Sequence, residues 1–130
     1  MEAKMELDDL EVYRLAMKIG DEVWAVVHQW NHFPRNTLGR QLTSSSDSIA
    51  ANISEGYGRY HYGENKHFCY FARGSLFETK TWLTKAYRRT LVDPSVFRTL
   101  MTDLDRLSIK LNKYIDSIGK LPHHPHMPKT

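Results

Sequence analysis

The spacing of the apolar residues divides the chain into four helical segments, and the first of them carries two apolar stripes. In residues 7–30, apolar or small residues recur at the three- and four-residue spacing of a helix along two adjacent lines. One stripe contains Leu10, Tyr13, Met17, Gly20, Trp24 and Val27; the other contains Val12, Ala16, Ile19, Val23, Val26 and Trp30. Together the stripes form an arc wider than one packing seam requires. This helix therefore has more apolar surface than an isolated four-helix unit is expected to bury.

The second helix is expected from Thr37 to Glu55, after a loop at residues 31–34 that contains Pro34. Its apolar stripe is short and is interrupted by a run of hydroxyl side chains at residues 43–48, which form helices poorly. Gly56 directly follows Glu55, the predicted last residue of the helix, and is expected to end the helix in a left-handed conformation. The stripe contains Leu38, Leu42, Ser45, Ile49 and Ile53.

The third helix is expected from Glu64 to Leu91 and the fourth from Pro94 to Ile118. Asp93 has the residue type of an N-cap, Pro94 suits the first helical position, and Gly119 is a C-cap residue type. The core stripe of the third helix is predicted as Phe68, Phe71, Ser75, Thr79, Trp82 and Ala86, flanked by Ala72 and Leu83. The stripe of the fourth contains Phe97, Leu100, Leu104, Leu107, Leu111, Tyr114 and Ile118.

Helices of this length joined by short loops favour antiparallel neighbours. The prediction is an all-α protein, an antiparallel up-and-down four-helix bundle, with a bundle domain over residues 1–118 and a flexible Pro/His-rich tail over residues 119–130. No apolar run is long enough to cross a bilayer, and the acidic start lacks the apolar region of a signal peptide. The single cysteine, Cys69, excludes an internal disulfide, and a cytoplasmic location without membrane contact is expected.

The charges are unevenly distributed along the 130 residues, although the net charge is only +3. Residues 1–22 hold seven acids and three bases, a net charge of −4, whereas residues 35–89 hold nine bases and four acids, a net charge of +5. This distribution is compatible with a surface that binds a polyanion, with subunits that pack acidic part to basic part, or with a solvated mixed surface.

Opposite the core stripe of the third helix lies a second stripe of Lys66, Tyr70, Arg73, Phe77 and Lys80. Cations interleaved with aromatic rings suit phosphate contacts and stacking on bases, but they also suit a protein interface covered by long aliphatic stems. This stripe alone favours a protein partner over nucleic acid. The cations at the end of the helix, Lys85, Arg88 and Arg89, also suit the helix dipole.

A polar set extends over the second and third helices. The residues from the second helix share one face, and such a set must find partners across helices when it is buried. We interpret it as a network that fixes helix register, with Arg73 paired to Glu55 or Glu78, rather than as a catalytic site. Its members are Gln41, Ser48, Asn52 and Glu55 on the second helix and Arg73, Ser75 and Glu78 on the third.

No other pattern supports enzymatic chemistry, a cofactor or a metal. His28 and His32 are four residues apart but have no third ligand at a defined spacing, and the histidines of the tail lie in a Pro-rich segment. The serines of the second helix do not lie in a Gly-x-Ser-x-Gly elbow. The glycines of Gly56-Tyr-Gly58 follow a helix instead of joining a strand to a helix, so a phosphate-binding loop is not indicated.

Several blocks resemble the four-helix-bundle proteins encoded by intervening sequences within bacterial 23S rRNA genes. The shorter blocks are Leu10-Glu-Val-Tyr13, Phe33-Pro34 and Gln41-Leu42. The distinctive ones are Ser48-Ile-Ala-Ala-Asn-Ile-Ser-Glu-Gly-Tyr-Gly-Arg59 and Phe71-Ala-Arg-Gly-Ser-Leu-Phe-Glu78. The order and spacing of these blocks resemble those of the family over residues 7–118. Thr43 and Ser44 occupy positions where similar proteins usually have a basic pair.

The resemblance implies an up-and-down bundle that assembles as a homopentameric ring and has no enzymatic activity. The chain is also distantly similar to the accessory variability proteins of diversity-generating retroelements, which partner a reverse transcriptase and bind nucleic acid. A pentamer explains the double apolar arc of the first helix, because one stripe can serve the bundle and the other a neighbouring copy.

Two functional hypotheses follow, with an enzyme as a third that rests only on the polar set. In the first, a non-enzymatic homo-oligomer binds RNA or a nucleic-acid-processing protein through basic residues. In the second, the bundle is a protein-interaction or assembly module with no nucleic-acid role. The basic residues of the first hypothesis are Arg35, Arg40, Arg59, Lys66, Lys80, Lys85, Arg88 and Arg89.

Overall fold

The computed structural model describes residues 6–120 and contains four long helices and one short helix in that range. After a 3-10 turn at Leu7–Asp9, the helices are α1 (Glu11–His28), α2 (His32–Asn36), α3 (Leu38–Tyr57), α4 (Tyr62–Arg88) and α5 (Pro94–Ser117). The described residues are therefore all-α, as predicted. Most of the predicted tail lies outside this range.

The four long helices form a square bundle in which α3 packs against α1 and α4, and α5 also packs against α1 and α4. The cross-helix contacts show that all of these neighbours are antiparallel, because late residues of one helix meet early residues of the next. A Cβ atom at Gly39, for example, would lie 2.7 Å from Val27 Cγ1, and Thr79 Oγ1 donates a hydrogen bond to Ser45 Oγ at 3.0 Å. On the α4–α5 side, Arg73 Nη1 donates to Asn112 Oδ1 at 2.9 Å, and the rings of Tyr87 and Phe97 stack 4.2 Å apart.

The core confirms the predicted stripes of α3 and α5 and corrects that of α4. Residues 38, 42, 45, 49 and 53 of α3 are all buried, as are residues 100, 104, 107 and 111 of α5. In α4 the predicted stripe is displaced from the true one: Phe71 is exposed, Phe68 and Trp82 are half-buried, and the predicted flanking residues belong to the core. The buried residues of α4 are Tyr62, Asn65, Cys69, Ala72, Leu76, Thr79, Leu83 and Ala86.

The two predicted stripes of α1 differ in how far they are buried in the single chain. Trp30, just beyond the helix, is buried, and Tyr13 and Val26 are half-buried against the core. Met17 and Trp24 remain exposed, Trp24 with 61% of its surface accessible. A single chain thus leaves part of the apolar arc uncovered.

The segment predicted as the first interhelical loop contains the short helix α2. Its last turn is held by side-chain hydrogen bonds to main-chain carbonyls: Asn36 Nδ2 donates to His32 O at 2.7 Å, and Thr37 Oγ1 donates to Phe33 O at 2.8 Å. Pro34 is tolerated because it lies in the first turn, where its missing N–H has no intrahelical partner.

Gly56 does not end α3 in a left-handed conformation, as the sequence predicted. It is a buried helical residue, and α3 continues to Tyr57 with Gly58 as a right-handed cap. Gly56 lets α4 approach, because a Cβ atom there would lie 2.7 Å from Asn65 Oδ1 and 2.8 Å from Asn65 O. Gly119, by contrast, has a φ of +85° just after the end of α5, as expected for a C-terminal glycine.

We predict that Gly56→Ala lowers the free energy of unfolding by about 1–3 kcal/mol, because the new methyl group meets the Asn65 backbone. The matched control is Gly74→Ala in α4, where a Cβ atom would meet no atom within 4 Å. The control is expected to stabilise the helix by up to about 1 kcal/mol. Urea unfolding measures both, and a Gly56→Ala chain as stable as the parent would contradict the close approach.

Candidate nucleic-acid interface

The antiparallel packing places the end of α1, the start of α3, the end of α4 and the start of α5 at the same end of the bundle. The segments at this end, residues 28–42 and 83–99, contain six cations and one carboxylate, a net charge of +5. We call it the basic end. Its cations are Arg35, Arg40, Lys85, Arg88, Arg89 and Arg98, and its carboxylate is Asp93.

Five of the eight predicted basic residues lie at the basic end, and Arg98 joins them. Within residues 6–120, none of these six cations forms an ion pair with a carboxylate. Arg35, Arg40, Arg88 and Arg89 are exposed. The positive charge is therefore concentrated and uncompensated. Arg98 lies outside residues 35–89, the segment with the excess of bases in the sequence, so only the antiparallel packing reveals that it lies among the other five cations.

The other three predicted basic residues lie elsewhere. Arg59 lies between Glu55 and Glu64, 3.6 Å from a carboxylate oxygen of each, and stacks over the Phe68 ring at 4.7 Å. Lys66 lies near the start of α4. Both Arg59 and Lys66 are therefore at the end of the bundle opposite the basic end. Lys80, about two-thirds of the way along α4, forms an ion pair with Asp105.

A surface pocket of about 320 Å³ opens at the basic end between α1, α2 and α3. We call it the Trp24 pocket. Gly39 in its lining lets α3 approach α1 closely, because a Cβ atom there would lie 2.7 Å from Val27 Cγ1 and 3.2 Å from Pro34 O. The pocket is lined by Trp24, Val27, His28, Arg35, Gly39, Arg40, Thr43 and Ser44. Thr43 and Ser44 thus share the pocket lining with two arginines.

The predicted polar set does not form one network in the structure. Arg73 binds Asn112 instead of Glu55 or Glu78, and Trp82 Nε1 donates to Glu78 at 2.9 Å. Asn52 Nδ2 donates to Ser48 O at 2.9 Å within α3. Gln41 is exposed, and Ser75 O accepts a hydrogen bond from Thr79 Oγ1. The link between α3 and α4 is made instead by Ser45 and Thr79.

Two opposite sides of the bundle expose apolar surface. The first, the α1/α3 groove, is lined largely by small residues, among them Ala50 and Ala51, with Asp21 and Asp47 at its edge. The second, the α4/α5 face, carries the exposed rings of Tyr70 and Phe77 and the exposed side chain of Ile109. Arg73 lies 5.1 Å from the Tyr70 ring and Lys80 lies 5.5 Å from the Phe77 ring, so cations accompany both aromatic rings.

Two carboxylates share the α1/α3 groove, and they affect each other. Partial burial, reinforced by the nearby charge of Asp21, raises the pKa of Asp47 above its ordinary value of 3.8. A Cβ atom added at Gly20 would lie 2.8 Å from Asp47 Oδ1, so α1 and α3 pass closely at this point. At neutral pH the carboxylate of Asp47 on α3 is therefore weakly repelled by that of Asp21 on α1.

Cys69, the single cysteine of the chain, is unsuited to act as a nucleophile. It is fully buried, and this burial raises its pKa to about 12, so the thiol is protonated at neutral pH. Burial also raises the pKa of Tyr114, whose hydroxyl accepts a hydrogen bond from Asn65 Nδ2.

Within residues 6–120, no group of three or more His, Cys, Asp and Glu side chains is arranged to hold a metal ion. His123, His124 and His126 of the predicted tail lie outside the described residues. No helix in the described part of the chain is long and apolar enough to span a membrane.

The fold defines a four-helix-bundle protein, and comparison with known proteins identifies its family. Residues 8–113 match the model of the family described as 23S rRNA-intervening sequence protein, and the chain belongs to this family. Among solved structures it is similar to a protein with unknown function from the S23 ribosomal protein family of Bacteroides thetaiotaomicron. The TM-score is 0.73 at 18% identity, covering 80% of this chain and 97% of that chain, so the similarity concerns the fold. A comparison with curated proteins finds no match.

We predict that, in the monomeric chain, Asp47→Asn raises the free energy of unfolding at neutral pH by about 0.5 kcal/mol or less, since the side chain keeps much of its solvent contact there. A raised carboxyl pKa favours the fold below 3.8, and this contribution is lost as the pH rises through the pKa of the folded state. The difference from the parent chain should therefore vanish well below pH 3.8. Urea unfolding at both pH values measures it, and Asp21→Asn should act in the same direction. A stabilisation independent of pH would contradict this account.

Proposed function

We propose that this protein is a non-enzymatic, homo-oligomeric RNA-binding protein of the cytoplasm and that its basic end is the RNA-contacting surface. The observation that supports this most strongly is the net charge of +5 at the basic end, where six cations have no carboxylate partner among the described residues. Unpaired lysines and arginines release counterions from a phosphate backbone, which is the main source of affinity in such complexes.

The positions of the cations support a backbone contact more than a catalytic one. Arg88 and Arg89 lie at the exposed end of α4, where several phosphates of a polyanion can be reached at once. The carboxylates of the polar set do not converge: Glu55 contacts Arg59, and Glu78 contacts Trp82. No acid–base pair is thereby assembled from the residues on which the enzyme hypothesis rested.

We further propose that copies of the chain assemble head to tail, with the α4/α5 face of one subunit packed into the α1/α3 groove of the next. A ring requires two different complementary faces on each subunit, and these faces lie on opposite sides of the bundle. The large exposed side chains of one face match the small residues of the other. Arg73 and Lys80 accompany the first, and Asp21 and Asp47 the second. A ring of five, as the resemblance implies, would display five basic ends on one side.

For RNA binding we compare Arg88→Glu/Arg89→Glu with Lys113→Glu/Lys120→Glu, which changes the net charge equally at the opposite end. The first variant is expected to lose about 10-fold or more in affinity. Its slope of log affinity against log salt should fall by roughly 0.7–0.9 for each lost phosphate contact. The control should change by less than about 2-fold.

Filter binding at a series of salt concentrations measures both quantities. Equal losses in the two variants would assign binding to overall charge and not to the basic end. If the parent chain binds neither single-stranded nor structured RNA at low salt, the RNA-binding proposal fails. The second hypothesis then remains, in which the bundle is an assembly module with no nucleic-acid role.

For assembly we predict that Phe77→Asp/Ile109→Asp and Ala51→Arg each prevent ring formation, because each blocks one of the two faces. All three positions are exposed in the single chain, so the fold should persist. A 1:1 mixture of the two variants should form dimers, because each retains the face that the other has lost.

Native mass spectrometry distinguishes these species, with a parent mass of about 76 kDa expected for five chains of 15.2 kDa. A monomeric parent chain would overturn the assembly proposal. An unchanged mass of the Phe77→Asp/Ile109→Asp variant would show that the α4/α5 face is not used.

A further inference from the structure

We propose that the Trp24 pocket binds one unpaired nucleotide of RNA, with the base stacked on the Trp24 indole and the phosphate held by Arg35 and Arg40. The inference rests on the proposed function, because the pocket lies within the basic end. It goes beyond that function, since it distinguishes single-stranded segments from duplex RNA.

The first argument is the exposed indole. Trp24 leaves 61% of its surface accessible, whereas Trp30, a short distance along the chain, is only 8% exposed. Leaving an indole in water forfeits the free energy that its burial would provide. An indole face at the wall of a concave site is a stacking platform for a base of any sequence.

The second argument is the pair of arginines that approach the pocket from different elements. Arg35 is carried by α2, whose last turn is held by the Asn36 and Thr37 hydrogen bonds, and Arg40 is carried by the first turn of α3. Neither guanidinium has a carboxylate partner within residues 6–120. A planar guanidinium donates two parallel hydrogen bonds to phosphate oxygens, so the two side chains form a phosphate clamp.

The third argument is the size and polar lining of the pocket. Its volume of about 320 Å³ is near the lower limit of small-ligand sites, which span roughly 300–1,000 Å³, so it suits one nucleotide. The hydroxyls of Thr43 and Ser44 and the ring of His28 offer hydrogen bonds to a ribose or a base edge. A base in a duplex keeps both faces stacked on its neighbours, and only an unpaired base can present a face to Trp24.

The charge of the pocket also disfavours a second copy of the chain as its occupant. Trp24 continues the stripe of Tyr13 and Met17, which the proposed assembly covers, so a neighbouring subunit is the main competitor. Because the basic ends lie on the same side of the proposed ring, the part of the neighbouring α4/α5 face that would approach the pocket is its own basic end. Its cations, among them Arg88 and Arg98, would meet the arginines of the pocket. Like charges brought together at an interface oppose binding, whereas phosphate neutralises them.

The experiment measures the binding of the full chain to a single-stranded oligonucleotide and to an RNA duplex with the same number of phosphates. Trp24→Ala is expected to weaken single-strand binding about 10-fold or more and duplex binding by less than about 2-fold, because only the unpaired base stacks. Trp24→Phe keeps a stacking ring and should restore most of the affinity. The matched control is Tyr60→Ala, which removes a 64% exposed ring between α3 and α4 at the opposite end of the bundle and should leave both affinities unchanged.

A second readout follows the indole directly. The oligonucleotide should quench tryptophan fluorescence in the parent chain, and Trp24→Phe should remove that quenching while single-strand binding persists. Arg35→Gln/Arg40→Gln should weaken single-strand binding and lower its salt dependence.

The outcomes separate the pocket from the wider proposal. Undiminished single-strand binding by Trp24→Ala, or an equal loss in Tyr60→Ala, would overturn the pocket and leave RNA binding by the basic end intact. A smaller assembly mass for Trp24→Ala would assign the indole to a subunit interface and would also overturn the pocket. If the parent chain binds no RNA, the proposed function itself fails, and the pocket with it.

Discussion

The structure depends on the close approach of α3 to its two neighbours, which requires small side chains at the crossings. Gly39 meets Val27 of α1, and Gly56 meets Asn65 of α4, each at a distance that excludes a Cβ atom. Between them, Ser45 accepts a hydrogen bond from Thr79 in the buried interface. The polar, small-residue composition that makes α3 a poor isolated helix is what allows two helices to pack closely on it, because tertiary contacts outweigh intrinsic propensity.

The antiparallel packing brings cations that are distant along the chain together at one end of the bundle. Cations that are up to about 60 residues apart, such as Arg35 and Arg98, lie at one end because alternate helices run in opposite directions. At the other end Arg59 is paired with Glu55 and Glu64, so the charge of this cation is compensated. A field of one sign at one end of a small bundle attracts a polyanion in a defined orientation and does not attract it equally over the whole surface.

The same geometry separates three surfaces that differ in chemistry. The basic end has unpaired cations and an exposed indole, the α1/α3 groove has small residues and carboxylates, and the α4/α5 face has large exposed side chains accompanied by cations. An arrangement in which copies bind side to side leaves the ends of the bundle accessible. In the proposed arrangement, assembly and polyanion binding would use different parts of the same helices, and α1 would contribute to both through residues one to three turns apart.

The sequence by itself determined the number of long helices, the stripes of α3 and α5, the exposure of Tyr70 and Phe77 and the family, because period, caps and distinctive blocks are local properties of the chain. It did not determine the register of α4, where Phe68 and Phe71 were predicted in the core and Cys69 and Leu76 lie there instead. Large aromatic residues score as core by hydrophobicity, but at the close crossing with Gly56 the fully buried residue of α4 is the polar Asn65. Only the tertiary structure could bring Trp24, Arg35 and Arg40 into one pocket or separate Arg73 from Glu55, since both depend on which helix ends are neighbours in space.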